Sequence, residues 1–272
     1  MEEKKGVLDS IDPKMLARIQ ALRLMDDDFM TIVFAGDNKL TEMLLRILLS
    51  RDDLHVKSSM TQKTIHNLFG RSVRLDILAE DTSGRLYNVE IQRADKGADP
   101  ERARLNQSQI DAHTIAKGTA FSKLPETYII FITENDFYGA NMPVYEVEKT
   151  IKGLGVTFDD GTHTIYVNGA YRADDAIGHL MHDFCTAKAD EMYYSEIAAR
   201  VRFHKQETKG VDQVSRIWEE YGDERAEAAR IHRNIEVAED LLRQNKLSTN
   251  DIAAVAKMSV AQVQKIAAQL RS

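Results

Sequence analysis

The residues best placed to do chemistry together in this sequence are Asp76, Glu90 and Gln92. They lie in VRLDILAEDTSGRLYNVEIQR, Val73 to Arg93, where apolar and polar residues alternate on both sides of the polar segment Asp81-Thr82-Ser83-Gly84. Two alternating runs joined through a glycine-containing segment predict an antiparallel hairpin. Strand alternation puts Glu90 and Gln92 on one face. With the turn centred near Ser83, Asp76 and Glu90 are equidistant from it and stand opposite each other. Opposed like charges destabilise a strand pair, and a divalent cation between them would remove that penalty. Carboxylate oxygens are hard ligands suited to Mg²⁺, which keeps waters and takes further ligands from substrate phosphate. Such a metal activates water and stabilises an in-line phosphoryl displacement. On this reading Asp76 and Glu90 hold the metal, the backbone carbonyl of Ile91 adds a ligand, and the Gln92 amide orients the attacking water. Pattern alone leaves open the alternative of an ordinary hairpin with a charged, solvent-facing side.

The rest of the chain has to position this hairpin. Asp12-Pro13 opens a helical pattern with Leu16, Ile19, Leu22 and Leu24 as its apolar members. A short helix through Phe29, Ile32, Val33 and Phe34 follows a cap at Asp26–Asp28. Lys39 to Leu49 reads as a helix with Leu40, Met43, Leu44, Ile47 and Leu48 on one face and Glu42 at its edge. After the hairpin and the loop ADKGADPE, Arg102 to Ala116 is a helix stopped by Lys117-Gly118. TYIIFIT is a continuous apolar run, which suits a strand buried on both faces. A further strand, THTIYVNG, precedes helical patterns from Asp174 to about Lys205. One long helical pattern then runs from Val211 to Gln244, followed by two short ones, Ser248–Ala256 and Ser259–Leu270, each opened by a serine able to cap it. The expected organisation is an α/β domain over residues 1–205, with a central mixed sheet flanked by helices, and a helical C-terminal region over residues 206–272.

Composition narrows the function. The chain has 272 residues with 43% hydrophobic and 29% charged content, enough apolar material for a large core. One cysteine, Cys185, excludes an internal disulfide framework and suits a reducing cytoplasm. No apolar window is long enough to span a bilayer, and the start Met-Glu-Glu-Lys-Lys-Gly lacks the apolar stretch of a signal peptide, so a cytoplasmic protein is expected. The net charge of −7 works against extended nucleic-acid binding, although a local basic groove can coexist with an acidic surface.

The hairpin segment resembles the core motif of the PD-(D/E)XK nuclease superfamily, and in particular the bacterial recombination-promoting nuclease and transposase-like family. The likeness continues through ERARLNQSQIDAHTIAKGTAFSKLPETYIIFITENDFYG, VYEVEK and DGTHTIYVNGAYRADDAIGHLMHDF, covering most of the chain from about Asp26 to Lys205. The resemblance implies a restriction-endonuclease-like fold and Mg²⁺-dependent cleavage of DNA, with Mn²⁺ as a substitute. It makes Asp76 the first acid of the motif, Glu90 the second and Glu42 the additional acid carried by the preceding helix. Gln92 stands where the superfamily pattern usually has lysine, so hydrogen bonds replace a positive charge there. The resemblance also places the helix after the hairpin beside the active site. Arg102 and Asn106, four residues apart, share a face of it. With Arg93 and Arg104 they form the expected DNA-binding set, a solvated helix face being the alternative.

The remaining motifs carry less. His179 and His182 lack a cysteine or acid at zinc spacing. Trp218 with Ile217 and Tyr221 reads as a packing stripe, and Cys185 as core. The tail resembles a helix-turn-helix-like module, with Ile252, Val255, Met258, Val260, Val263 and Ile266 as its packing residues and only Lys265 and Arg271 as cations on the second helix. The apolar members of the long helix need a covering surface, which the core or a second subunit in a homodimer would provide. The rival to an endonuclease serving recombination, transposition or phage defence is a DNA-binding or assembly module that keeps the nuclease fold and cuts nothing.

Overall fold

The computed structural model describes residues 12–65, 72–93, 97–244 and 246–270, without the side chains of residues 219–229, 232 and 269. The Tyr221 side chain, Arg271 and residues 94–96 of the loop ADKGADPE therefore lie outside what is described. The chain divides into two compact units, one extending to Val214 and one beginning at Ser215. The first unit runs past the boundary expected at Lys205, because Val211 and Val214 are both fully buried.

Three helices come first: α1 (Pro13–Ala21), α2 (Asp27–Phe34) and α3 (Asn38–Leu49). Asp12 and Asp37 cap α1 and α3 by accepting backbone N–H groups of Lys14 and Leu40. Ser50 closes α3 in the left-handed conformation, φ 51°. The strands β1 (Val56–Ile65), β2 (Val73–Asp81) and β3 (Leu86–Gln92) then form an antiparallel meander. Helix α4 (Pro100–Thr114) carries the chain over to β4 (Thr127–Thr133), which pairs parallel with β3. After the edge strand β5 (Val144–Val147) and the two-residue strands β6 (Thr150–Ile151) and β7 (Val156–Thr157), strand β8 (Thr162–Asn168) inserts parallel to β4. The six-stranded sheet has the order β1-β2-β3-β4-β8-β5 and is mixed, as expected. Sequence alternation gave no sign of β1, whose burial pattern is irregular, or of the short strands.

Helices cover both faces of this sheet. Against one face α4 packs Ala103 and Ile110 onto Ile129, Phe131 and Tyr166, with Val73, Leu75 and Ile65 in the same cluster. The helices α2 and α3, with α5 (Ala176–Cys185) and α6 (Ser195–Gln206), form the other layer, where α2 meets β2 and α6 and where α3 meets α5. Ile129 and Phe131 are buried in the α4-side cluster while Ile130 and Ile132, alternating with them, are fully buried too, which explains why TYIIFIT shows no alternation. Lys205, at the end of α6, is buried, and its ammonium donates to the carbonyls of Gln20, Leu22 and Ala187. It ties α1 to the following layer. Among the described residues no helix is long and apolar enough to cross a membrane.

The long helix α7 (Thr208–Gln244) spans the boundary between the units. In the second unit, Ala238 packs with Ile252, Ala253, Ala256, Val263 and Ile266 of α8 (Thr249–Val255), α9 (Val260–Gln269) and the turn between them. Ser248 and Ser259 cap these helices as expected, and Ser259 forms a reciprocal capping box with Gln262. Val255 and Val260 face solvent at 57% and 38% exposure, so alanines take the packing role expected of them.

Candidate active site

The register of the hairpin is set at its turn. Asp81 Oδ1 accepts the N–H groups of Ser83 and Arg85, Oδ2 accepts the Tyr87 hydroxyl, and Gly84 supplies the φ of +81° that the turn requires. The ladder then runs from Glu80↔Leu86 to Ile77↔Val89. Continued by one residue, this register sets Asp76 against Glu90. There side chains replace the backbone pairing: Ile91 N–H donates to Asp76 Oδ2 at 2.9 Å, and Asp76 N–H donates to Glu90 Oε1 at 3.4 Å. The neighbouring ladder is interrupted at the same level. Thr61↔Ile77 and Lys63↔Leu75 are paired, while Gln62 between them has φ 53°, a left-handed conformation uncommon for such a residue.

Helix α4 faces these acids with polar residues. Arg102 Nη2 donates to Glu90 Oε2 at 2.5 Å, and its Nη1 donates to Gln92 Oε1 at 2.9 Å and to the Gly97 carbonyl at 3.1 Å. Asn106, 2% exposed, donates to Asn88 Oδ1 at 3.1 Å. Asn88 in turn donates to Glu90 Oε1 at 2.9 Å and to the Ile77 carbonyl at 3.2 Å. Glu90 is fully buried, and both of its oxygens are engaged in this network. Burial holds the carboxyls of both Asp76 and Glu90 above the ordinary carboxylate range. For Asp76 the charge of Glu90 adds to the effect, and the Ile91 N–H and Arg102 oppose it. For Glu90 the opposing influences are Arg102, the Asn88 amide and the Asp76 N–H. In so dry a place it is costly to ionise two acids side by side. The donor set suits a hard divalent ion, since such an ion relieves both the burial and the repulsion.

A cavity of about 240 Å³ opens beside the pair, lined by Asp27, Asp76, Ile91, Gln92, Arg93 and Arg102. Glu90 does not reach its wall. Asp27, at the start of α2, is an acid that sequence reasoning used only as part of a helix cap. The signal was present, because three consecutive aspartates exceed what one cap needs. Asp26 makes no capping bond; it accepts from the Arg23 N–H and pairs with Arg93 at 3.0 Å.

Glu42 stands elsewhere. Its Oε2 accepts the Val56 N–H at 2.9 Å and its Oε1 pairs with Arg46 at 2.8 Å. Val56 pairs with Asp81, five positions from Asp76, which is about 16 Å of strand. The expected DNA-binding set also divides. Arg93 and Arg104 are exposed, whereas Arg102 and Asn106 share the helix face that turns inward to the acids. His179 stacks on Tyr193 at 4.0 Å and pairs with Asp174, and His182 meets the same ring edge-on. Among the described residues no group of three or more His, Cys, Asp or Glu side chains is arranged to hold a metal, so the candidate centre rests on two carboxylates and backbone.

Residues 35–168 match the sequence profile of the family described as PD-(D/E)XK nuclease family transposase. The domain is a member of that family. The PD-(D/E)XK match takes in α3, the whole six-stranded sheet and α4, and with it Asp76, Glu90, Gln92 and Arg102. It begins after α2, so Asp27 lies outside it. No curated protein and no solved structure matches the chain significantly. The six-stranded mixed sheet between two helical layers is consistent with the restriction-endonuclease-like fold, and the family supports a nuclease-like function.

Proposed function

We propose that the chain is a metal-dependent DNA endonuclease. The observation that carries this reading is the pair of buried carboxylates, Asp76 and Glu90, set against each other where the hairpin ladder gives way to side-chain hydrogen bonds. Burying two acids together lowers stability unless a cation joins them, so the arrangement makes sense as a site that waits for one. Mg²⁺, with Mn²⁺ as a substitute, would be held by Asp76, Glu90 and the Ile91 carbonyl. When bound, it supplies charge stabilisation at the phosphate and lowers the pKa of water.

The protein groups have separate tasks. Asn88 and Asn106 hold Glu90 in one orientation from behind. Gln92 lines the cavity and hydrogen-bonds the water or a phosphate oxygen, while Asp27, at the start of α2, adds negative charge to the same cavity. Arg93 and Arg104, both exposed, contact the DNA backbone on either side. The net charge of −7 limits the footprint to such local contacts. Cleavage of both strands would require two such sites, which a two-fold dimer provides; sedimentation of the full chain tests this.

The direct test is cleavage of supercoiled plasmid in Mg²⁺ and in Mn²⁺, with Asp76→Asn as the control. Nicked or linear product from the parent and none from the variant supports the proposal. A parent that binds DNA but leaves it intact with either ion would instead make the chain a DNA-binding module on a nuclease scaffold.

A further inference from the structure

Arg102 has more partners than a surface arginine needs for a DNA phosphate. Its guanidinium lies between Glu90 and Gln92, reaching Glu90 Oε2 at 2.5 Å and Gln92 Oε1 at 2.9 Å. The Gly97 carbonyl also accepts from it at 3.1 Å. Gly97 has φ +97°, and a Cβ there would lie 2.6 Å from Gln92 Oε1 and 2.9 Å from Arg102 Nη1. Only glycine lets the chain approach this closely while the pair stays in place. The Phe131 ring lies 5.9 Å from the guanidinium carbon. A side chain on the sheet at position 92 that carried its own ammonium would bring it to the same place, next to Glu90 and facing the cavity.

The contact also decides which way Gln92 faces. Arginine has donors and no acceptor, so the Gln92 atom against it must be the carbonyl oxygen. The Gln92 NH₂ group is therefore the end left for the cavity. An amide that could have offered either a donor or an acceptor is made to offer a donor, as lysine would. We propose that Arg102 is the cation that the motif lacks on its strand: reaching in from α4, it supplies the positive charge beside Glu90 and fixes Gln92 as a hydrogen-bond donor toward the reacting phosphate. Arg102 is thus a positioning residue rather than the DNA anchor its place on the helix suggests. The inference rests on the nuclease reading above and adds to it a two-residue replacement for lysine.

The test is a charge transplant: Arg102→Gln, Gln92→Lys and the double variant Arg102→Gln/Gln92→Lys, compared with the parent. Three quantities are measured, namely cleavage rate in Mg²⁺, DNA affinity without metal, and melting temperature without metal. Arg102→Gln is expected to lower the rate by about 10²–10³, the usual effect of removing one positioned donor from a transition state. Its DNA affinity should stay within about threefold of the parent, since the group points inward. Its melting temperature should fall by several degrees, because Glu90 is left buried without a cation. Adding Gln92→Lys should return both rate and melting temperature most of the way. A loss of DNA affinity with unchanged rate at saturation, or a double variant that regains neither quantity, overturns the proposal. If the parent cuts nothing with either ion, the nuclease reading fails on its own. The melting temperatures then decide for Arg102: recovery in the double variant sustains its role as the tethered cation of the acid pair, and no recovery refutes it.

Discussion

Replacing Asp76 by asparagine should make the metal-free protein more stable while removing its response to metal. The two carboxylates occupy directly opposed positions in the continued register, and Glu90 is fully buried while Asp76 is 8% exposed. At about 5 Å, two full charges repel by about 3 kcal/mol at an effective dielectric of 20. Asparagine keeps an oxygen to accept the Ile91 N–H, so the 2.9 Å hydrogen bond survives. It forfeits the attraction of Asp76 to Arg102, which offsets part of the gain. A net stabilisation of about 1–2 kcal/mol remains, or about 3–6 °C in melting temperature for a unit of this size.

The gain has a pH signature. Burial first, and then the charge of Glu90, hold Asp76 above its unfolded value, so its penalty is absent while both states are protonated. It grows as pH rises through the unfolded pKa toward the folded one, and is complete above the latter. The advantage of the asparagine variant should therefore be larger at pH 8 than at pH 4, shrinking as pH falls toward the unfolded value. Thermal melts in chelator across that range measure it, and calorimetric titration with Mg²⁺ and Mn²⁺ should show heat for the parent only. A variant that melts below the parent at pH 8, or whose gain does not change with pH, would refute the claim that repulsion is stored between these acids.

Three further outcomes follow from the same geometry. Asn106→Ala leaves the buried Asn88 Oδ1 without its donor, so it should cost about 1–3 kcal/mol in denaturant melts and slow cleavage, whereas Arg104→Ala, on the exposed side of the same helix, should weaken DNA binding without lowering the melt. Glu42→Gln should leave metal affinity and cleavage rate unaltered, because Glu42 is bound to Val56 and Arg46; a lost metal response would put it back in the site. Burial, helped by the charge of Arg200, lowers the His204 pKa to about 4; stability should be whole above about pH 6.5 and decline below it by up to about 1.4 kcal/mol per unit. The His204→Leu variant should lack that share of the slope, and equal slopes in both proteins would remove His204 as its source.

The hairpin was legible because its signals are local. Period-two alternation and one turn fix the register, and Asp81, Gly84 and the ladder pairs carry it out as the spacing of Asp76 and Glu90 about Ser83 suggests. Caps at Asp12, Ser248 and Ser259 are equally local. Glu42 and Asp27 were not separable in this way. Each is an acid on a helix ahead of the first core strand, and only the packing of α2 and α3 against β1 and β2 decides which one approaches the cavity. A family likeness supplies the expectation of such an acid without saying which helix turn presents it.

The inward face of α4 was misread for a more general reason. Amphipathic patterning assigns polar helix faces to solvent, but here the strand face beneath is polar as well. Asn88, Glu90 and Gln92 alternate along β3, spaced by about 6.6 Å for each pair of residues. Arg102 and Asn106 lie four residues apart on α4, a rise of about 6 Å. The two repeats match closely enough for Arg102 to meet Glu90 and Gln92 while Asn106 meets Asn88. Antiparallel travel of the helix over the strand puts the earlier helix residue above the later strand residues, as those contacts require. A helix that follows a strand bearing polar residues at i, i+2 and i+4, and that carries polar residues at its own i and i+4, is therefore a candidate for a buried polar seam. In this chain that seam holds the acid Glu90 in place, and neither sequence pattern shows it without the other.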